Sequence, residues 1–156
     1  MHPYRNFVLM ILTASVLMFC LMYLNTYQLS HVRFSQTRMF MTFIMAGSMA
    51  LVMLLFMHHM YKDKRANLAI AIGSVALVGS GLWLVRSQAT VGDIAWMKAM
   101  IPHHSIAILT SERAQIADPR VRGLADGIIE SQRREISEME VLIDDLERQQ
   151  TSAGRQ

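Results

Sequence analysis

Residues 39–61 read MFMTFIMAGSMALVMLLFMHHMY, twenty-three positions without one Asp, Glu, Lys or Arg. The hydrocarbon core of a bilayer is about 30 Å thick and each helical residue rises about 1.5 Å, so roughly 20 apolar residues span it. This stretch is long enough to cross a membrane as a helix. Working outward, 7–24 and 68–85 are also free of those four residue types and also qualify. Charges inside such runs would be costly, and polar punctuation separates them: Asn25 to Arg38 on one side, the tight Lys62-Asp63-Lys64-Arg65 on the other. So short a second connection makes spans two and three antiparallel neighbours. Small residues recur four apart, as Ala46 and Ala50, Ala69 and Gly73, and Ala76 and Ser80. They predict close helix packing there.

Charge divides the chain. Of its 156 residues 53% are apolar, concentrated in the first half. Up to Val85 there are six Lys/Arg and one acid; from Arg86 onward nine Lys/Arg face eleven Asp/Glu. The basic surplus sits at membrane edges and forms no stripe on the polar part, which argues against nucleic acid as a partner. Lys and Arg beside spans collect on the cytoplasmic side. Arg5, Lys62, Lys64 and Arg65 flank one side and Arg33, Arg38 and Arg86 the other. That bias places the N-terminus inside and the C-terminal part outside, which in a two-membrane bacterium is the periplasmic side of the inner membrane. Cys20, the single cysteine, lies within the first run, so no internal disulfide forms. No small-residue cleavage pattern follows, so the first span reads as retained.

The second span carries Met41, Met45, Met49, Met53 and Met57 at every fourth position, ending in His58, His59 and Met60. Four residues advance a helix by about 400°, so the stripe winds slowly over one broad face. Thioether plus imidazole suits Cu(I), and Met53, Met57, His58, His59 and Met60 form a secondary candidate set. The other reading is packing, because Met is a flexible apolar gap-filler.

After Arg86 the pattern becomes charged and amphipathic. Thr90 with Asp93 predicts a capping box opening a helix that runs to about Ala117. Asp118-Pro119 predicts an N-cap and first-turn proline for a second helix, to about Gln149. On the second helix Val121, Ala125, Ile128, Gln132, Glu135, Met139, Leu142 and Leu146 alternate spacings of three and four, which predicts one buried seam. Met97, Met100 and His104 share a face of the first. Folding the hairpin at Asp118 sets His104 opposite Gln132, Met100 beside Glu135 and Met97 opposite Met139. Thioethers and imidazole facing a carboxylate make a soft-metal cage. Pro102 removes a helix hydrogen bond just before His103 and His104, a bend that can aim ligands. Gly123 and Gly127 predict close approach of another helix. The competing reading makes each Met a core residue and the His pair solvated.

The run Trp96-Met97-x-x-Met100-Ile101-Pro102-His103-His104-Ser105, then Asp118-Pro119-x-Val121, then Gln132-x-x-Glu135-Ile136-x-x-Met139 resembles the domain of unknown function 305 family, over about Gly92 to Leu146. The resemblance implies a ferritin-like helical hairpin, with some relatives binding copper or silver through Met and His. It carries a metal site onto Met97, Met100, His103, His104 and Met139, with Glu135 in a supporting place. Thr110 departs from relatives that carry a further Met there. A single hairpin implies a four-helix bundle completed by homodimerisation.

The expected protein is therefore all-α: a membrane domain over 1–86, a hairpin over 87–149 and a disordered tail over 150–156. Its expected work is binding Cu(I) or Ag(I) outside the cytoplasm for tolerance or delivery, with the bilayer, a second copy of the chain and a copper-handling protein as expected partners. The alternative is a membrane-tethered interaction module without metal. No Glu-x-x-His pair, no nucleophile with a base at readable spacing and no phosphate loop is present, so no enzyme is expected.

Overall fold

A computed structural model describes residues 2–154. Among the described residues there are five α-helices and no strand: α1 (His2–Leu21), α2 (Gln36–Phe56), α3 (Lys64–Ser87), α4 (Asp93–Arg113) and α5 (Pro119–Ala153). Short 3-10 turns occupy Leu29–His31 and His58–Met60. The chain divides into two compact units. One holds α1 to α3; the other holds α4 and α5 together with Tyr23–Ser35, the connection between the first two helices.

In the first unit, α1, α2 and α3 are each long and apolar enough to cross a membrane. The second span, expected to reach Tyr61, stops as an α-helix at Phe56, and the His-rich end forms a 3-10 turn. Glycines set the closest approach. A Cβ on Gly47 would lie 2.8 Å from the Ser74 carbonyl oxygen and from Val78 Cγ2, and one on Gly81 would lie 3.1 Å from the Phe40 carbonyl oxygen. Ala46 and Ala50 are buried as their spacing predicts. Ala69, Gly73, Ala76 and Ser80 are instead exposed, and the face of α3 toward α2 carries Ser74 and Gly81. The seven-residue step between those two keeps one helix face. The Asp63 carboxylate caps α3, accepting from the Arg65 and Ala66 N–H groups at 2.9 and 3.2 Å.

The second unit is an antiparallel hairpin with an added strap. Asp118 takes the N-cap position of α5, its carboxylate accepting from the Arg120 N–H at 2.8 Å, and Pro119 follows at the first position, as expected. The capping box does not form. Gly92 is the N-cap of α4 and no side chain caps it, leaving Asp93 in the first turn, where a negative charge still favours the helix dipole. Helix α4 ends at Arg113, four residues early, because the chain turns extended at Ala114 before Asp118-Pro119. The tail expected from residue 150 is helical to Ala153.

The seam of α5 is also displaced. Ala125, Ile136, Met139 and Ile143 are buried, with Ile129 and Leu146 packed beside them, whereas Val121, Ile128 and Leu142 are exposed. Apolar residues cover a wide arc of α5, and the half centred on Ile136 is the one α4 covers.

The strap is Tyr23–Ser35, read from sequence only as polar punctuation. The Tyr27 backbone N–H donates to Ser105 Oγ at 2.7 Å, and His31 Nδ1 lies 2.9 Å from the same oxygen. Ser105 is fully buried. Arg33 pairs with Glu140 at 3.6 Å, and the Arg133 guanidinium lies 6.0 Å from the centre of the Tyr27 ring. Burial holds the His31 imidazole below its ordinary pKa, with Glu140 opposing and Arg33 adding to the effect.

Candidate metal site

Met97 and Met139 sit inside the hairpin cluster, 5% and 7% exposed, with Ile101, Ile108, Ile136 and Ile143; Met100 packs at its edge. All three sequence-predicted thioethers of the hairpin are therefore in one apolar cluster. The register differs from the folding expected at Asp118. His104 meets Glu135, not Gln132, with Nε2 2.7 Å from Glu135 Oε2, so its partner lies three residues further along α5 than a fold centred on Asp118 gives.

His104 is 8% exposed and held at both ring nitrogens. Nδ1 lies 3.0 Å from the Met100 carbonyl oxygen and Nε2 faces the Glu135 carboxylate. Both ring nitrogens are thus engaged within the hairpin, Nδ1 by a backbone carbonyl and Nε2 by a carboxylate. The second carboxylate oxygen of Glu135 accepts from Ser131 Oγ at 2.6 Å. The Ser131 hydroxyl first, and then His104, hold the Glu135 carboxyl below the usual carboxylate range.

His103 points elsewhere. It is exposed, its ring 6.1 Å from that of His104 and tilted by 62°. Successive helical residues differ by about 100°, so one His of the pair enters the cluster and the other leaves it. Pro102 lies inside α4 and is buried.

In the first unit Met53 and Met57 pack against Phe7, Ala50 and Tyr61. His58, His59 and Met60 are exposed in the 3-10 turn, with His58 Nδ1 3.0 Å from the Leu55 carbonyl oxygen. The secondary set is thus split between a packed pair and an exposed turn. Among the described residues no group of three or more His, Cys, Asp or Glu gathers as a metal site.

A family model described as "Domain of unknown function (DUF305)" matches residues 85–156. The uncharacterized protein L153 of Acanthamoeba polyphaga mimivirus is 31% identical over 143 residues, covering 87% of this chain and 92% of that protein. The chain belongs to the DUF305 family. Likeness to that relative extends beyond the expected Gly92 to Leu146 into the membrane-length helices, since 87% of the chain cannot fit within the hairpin. No solved structure matches the chain significantly.

Sequence reasoning missed Ser131, Ser105, Tyr27 and His31. Ser131 stands one helical turn before Glu135 and was open to discovery by that spacing. The strap contacts join residues 74 and 78 positions apart, and no local pattern announces them.

Proposed function

We propose that this DUF305 protein is a membrane-anchored metal binder that holds Cu(I), or its analogue Ag(I), outside the cytoplasm for tolerance or delivery. The observation that carries this reading is the gathering of Met97, Met100 and Met139 in one apolar cluster closed by the His104–Glu135 pair. Neutral thioethers in apolar surroundings fit a soft monovalent ion, which loses less on leaving water than a divalent ion does. Met97, Met100, Met139 and His104 would hold the metal. When bound, it supplies thiophilic Lewis acidity and no protein-based chemistry.

The chain's own residues do the rest. On metal loading His104 Nε2 would release its proton to solvent and give up the hydrogen bond to Glu135, whose carboxyl, held below the usual carboxylate range first by Ser131, would face the ion's charge. His103 is exposed and suits transient capture from solvent or from a copper-handling partner. The reading assigns no catalytic role to any residue. Arg5, Lys62, Lys64 and Arg65 support a cytoplasmic N-terminus and an inner-membrane location with the hairpin on the periplasmic or extracellular side.

A competition titration of the full-length protein tests it. Replacing Met97 and Met100 by Leu and His104 by Gln should abolish Cu(I) binding; equal affinity in that triple variant would show the site to be elsewhere. A second reading, an interaction module without metal, is favoured by the exposed apolar residues of α5. Failure of both parent and variant to bind Cu(I) would favour it.

A further inference from the structure

The strap covers only one flank of the hairpin. Measured around α5 from the buried Ile136, its partners Arg133 and Glu140 lie about 60° and 40° to one side. Ser105, the strap's anchor on α4, lies about 40° to the same side of Ile101. On the other flank, about 80–120° from Ile136, stand Leu124, Ile128, Glu135 and Leu142. Leu124 is 66% exposed and Leu142 51%. Beside Leu142, a groove of about 610 Å³ between the start of α4 and the end of α5 joins Trp96 to Leu146 over Met97. Met100 and His104 border this same flank of α4.

The uncovered flank has a reciprocal layout. One apolar patch, Val121, Leu124 and Ile128, lies near the turn; the other, Leu142 with Trp96, lies near the open end; Ser131 and Glu135 stand between. Charge is polarised along the helix as well. Arg120, Glu138 and Asp145 at the borders of this flank are paired within the chain with Asp118, Arg134 and Arg148, but over 118–134 α5 carries four Arg and three acids and over 135–154 one Arg and six acids. Parallel self-pairing would set Asp145 against Asp145 and Glu138 against Glu138. Antiparallel self-pairing about a two-fold axis near Arg133 keeps the two acidic ends apart and sets Leu124 against Leu142. An interface between identical surfaces must be self-complementary in this way.

We propose that a second copy of this chain packs antiparallel on this flank, α5 against α5, and closes the side of the hairpin on which Met100, His104 and Glu135 lie. The contact needs no metal and stands apart from the copper reading. If copper binds, the second copy also shields the site: the Glu135 side chain, 40% exposed in one chain, lies next to the axis. Gly123 and Gly127, expected at a close helix contact, meet nothing within 4 Å in one chain.

The test uses full-length protein with Cys20→Ser, so that added cysteines are the only ones. Leu124→Cys and Leu142→Cys proteins, co-expressed and oxidised in their membrane, should form a mixed disulfide dimer. Each alone should not, because two copies of position 124 would stand about 27 Å apart along the helices, far beyond the roughly 7 Å limit between disulfide Cα atoms. Leu124→Lys with Leu142→Lys should halve the particle mass in detergent without loss of helical circular dichroism. Self-crosslinking of Leu124→Cys as strong as the mixed product, or a monomeric parent across concentration, would overturn the proposal.

Discussion

Replacing Ser105 by Ala tests how the strap is held. The hydroxyl is fully buried, accepts the Tyr27 N–H at 2.7 Å and contacts His31 Nδ1 at 2.9 Å. Removing it leaves the Tyr27 N–H and the His31 nitrogen without their partner. Stranding a buried polar group costs about 1–3 kcal/mol, and each 1.4 kcal/mol is about tenfold in an opening equilibrium. Hydrogen exchange at the Tyr27 amide of the full-length protein should therefore speed up roughly 5- to 150-fold. Amides of α5 around Ile143, held by the helix's own hydrogen bonds, should keep their protection. Unchanged protection at Tyr27 would refute the strap, and equal loss at Ile143 would show that Ser105 stabilises the whole hairpin.

Protonation of His31 should loosen the same contact. Burial lowers its pKa in the folded state, so the unfolded strap binds more protons as the solution is acidified. The strap's stability is fully present above the ordinary His range and falls as pH drops through that range to the lowered value; Tyr27 protection factors between about pH 7.5 and 5 should show this. Gly47→Ala should destabilise the α2–α3 pair by about 1–3 kcal/mol, since its Cβ meets the backbone oxygen of Ser74, while Gly73→Ala, with nothing within 4 Å, should be neutral or stabilising in detergent melts. Met139→Leu should keep the hairpin within about 1.5 kcal/mol of the parent while Met139→Ala costs about 2–5 kcal/mol. Loss of Cu(I) affinity in Met139→Leu with its melt retained separates a ligand from a packing residue.

The three membrane-length helices were legible because each is a charge-free run with polar ends. So was the turn, because Asp118-Pro119 supplies both a capping oxygen and a fixed φ. The seam of α5 was not. Val121, Ile128 and Leu142 obey the same three-and-four spacing as the true core, and only the presence of α4 on the Ile136 side separates the two arcs. For the candidate site, periodicity put Met97, Met100 and Met139 on faces that meet in one cluster, but it set Gln132 rather than Glu135 opposite His104. It also put His104, not His103, on the face of Met97 and Met100; only the resemblance carried His103 into the site, and His103 is exposed. The strap was illegible for another reason: its hydrogen bonds join a loop to a helix across two intervening spans, and Tyr27 and His31 look like any interfacial polar residues.

X-ray absorption on full-length protein loaded with Cu(I) addresses the central claim most directly. The account predicts about one copper per chain with sulfur and nitrogen neighbours, and loss of that signal when Met97, Met100 and His104 are replaced together. Copper that binds with the same sulfur-rich signal in the triple variant, or a parent that retains none, would contradict it.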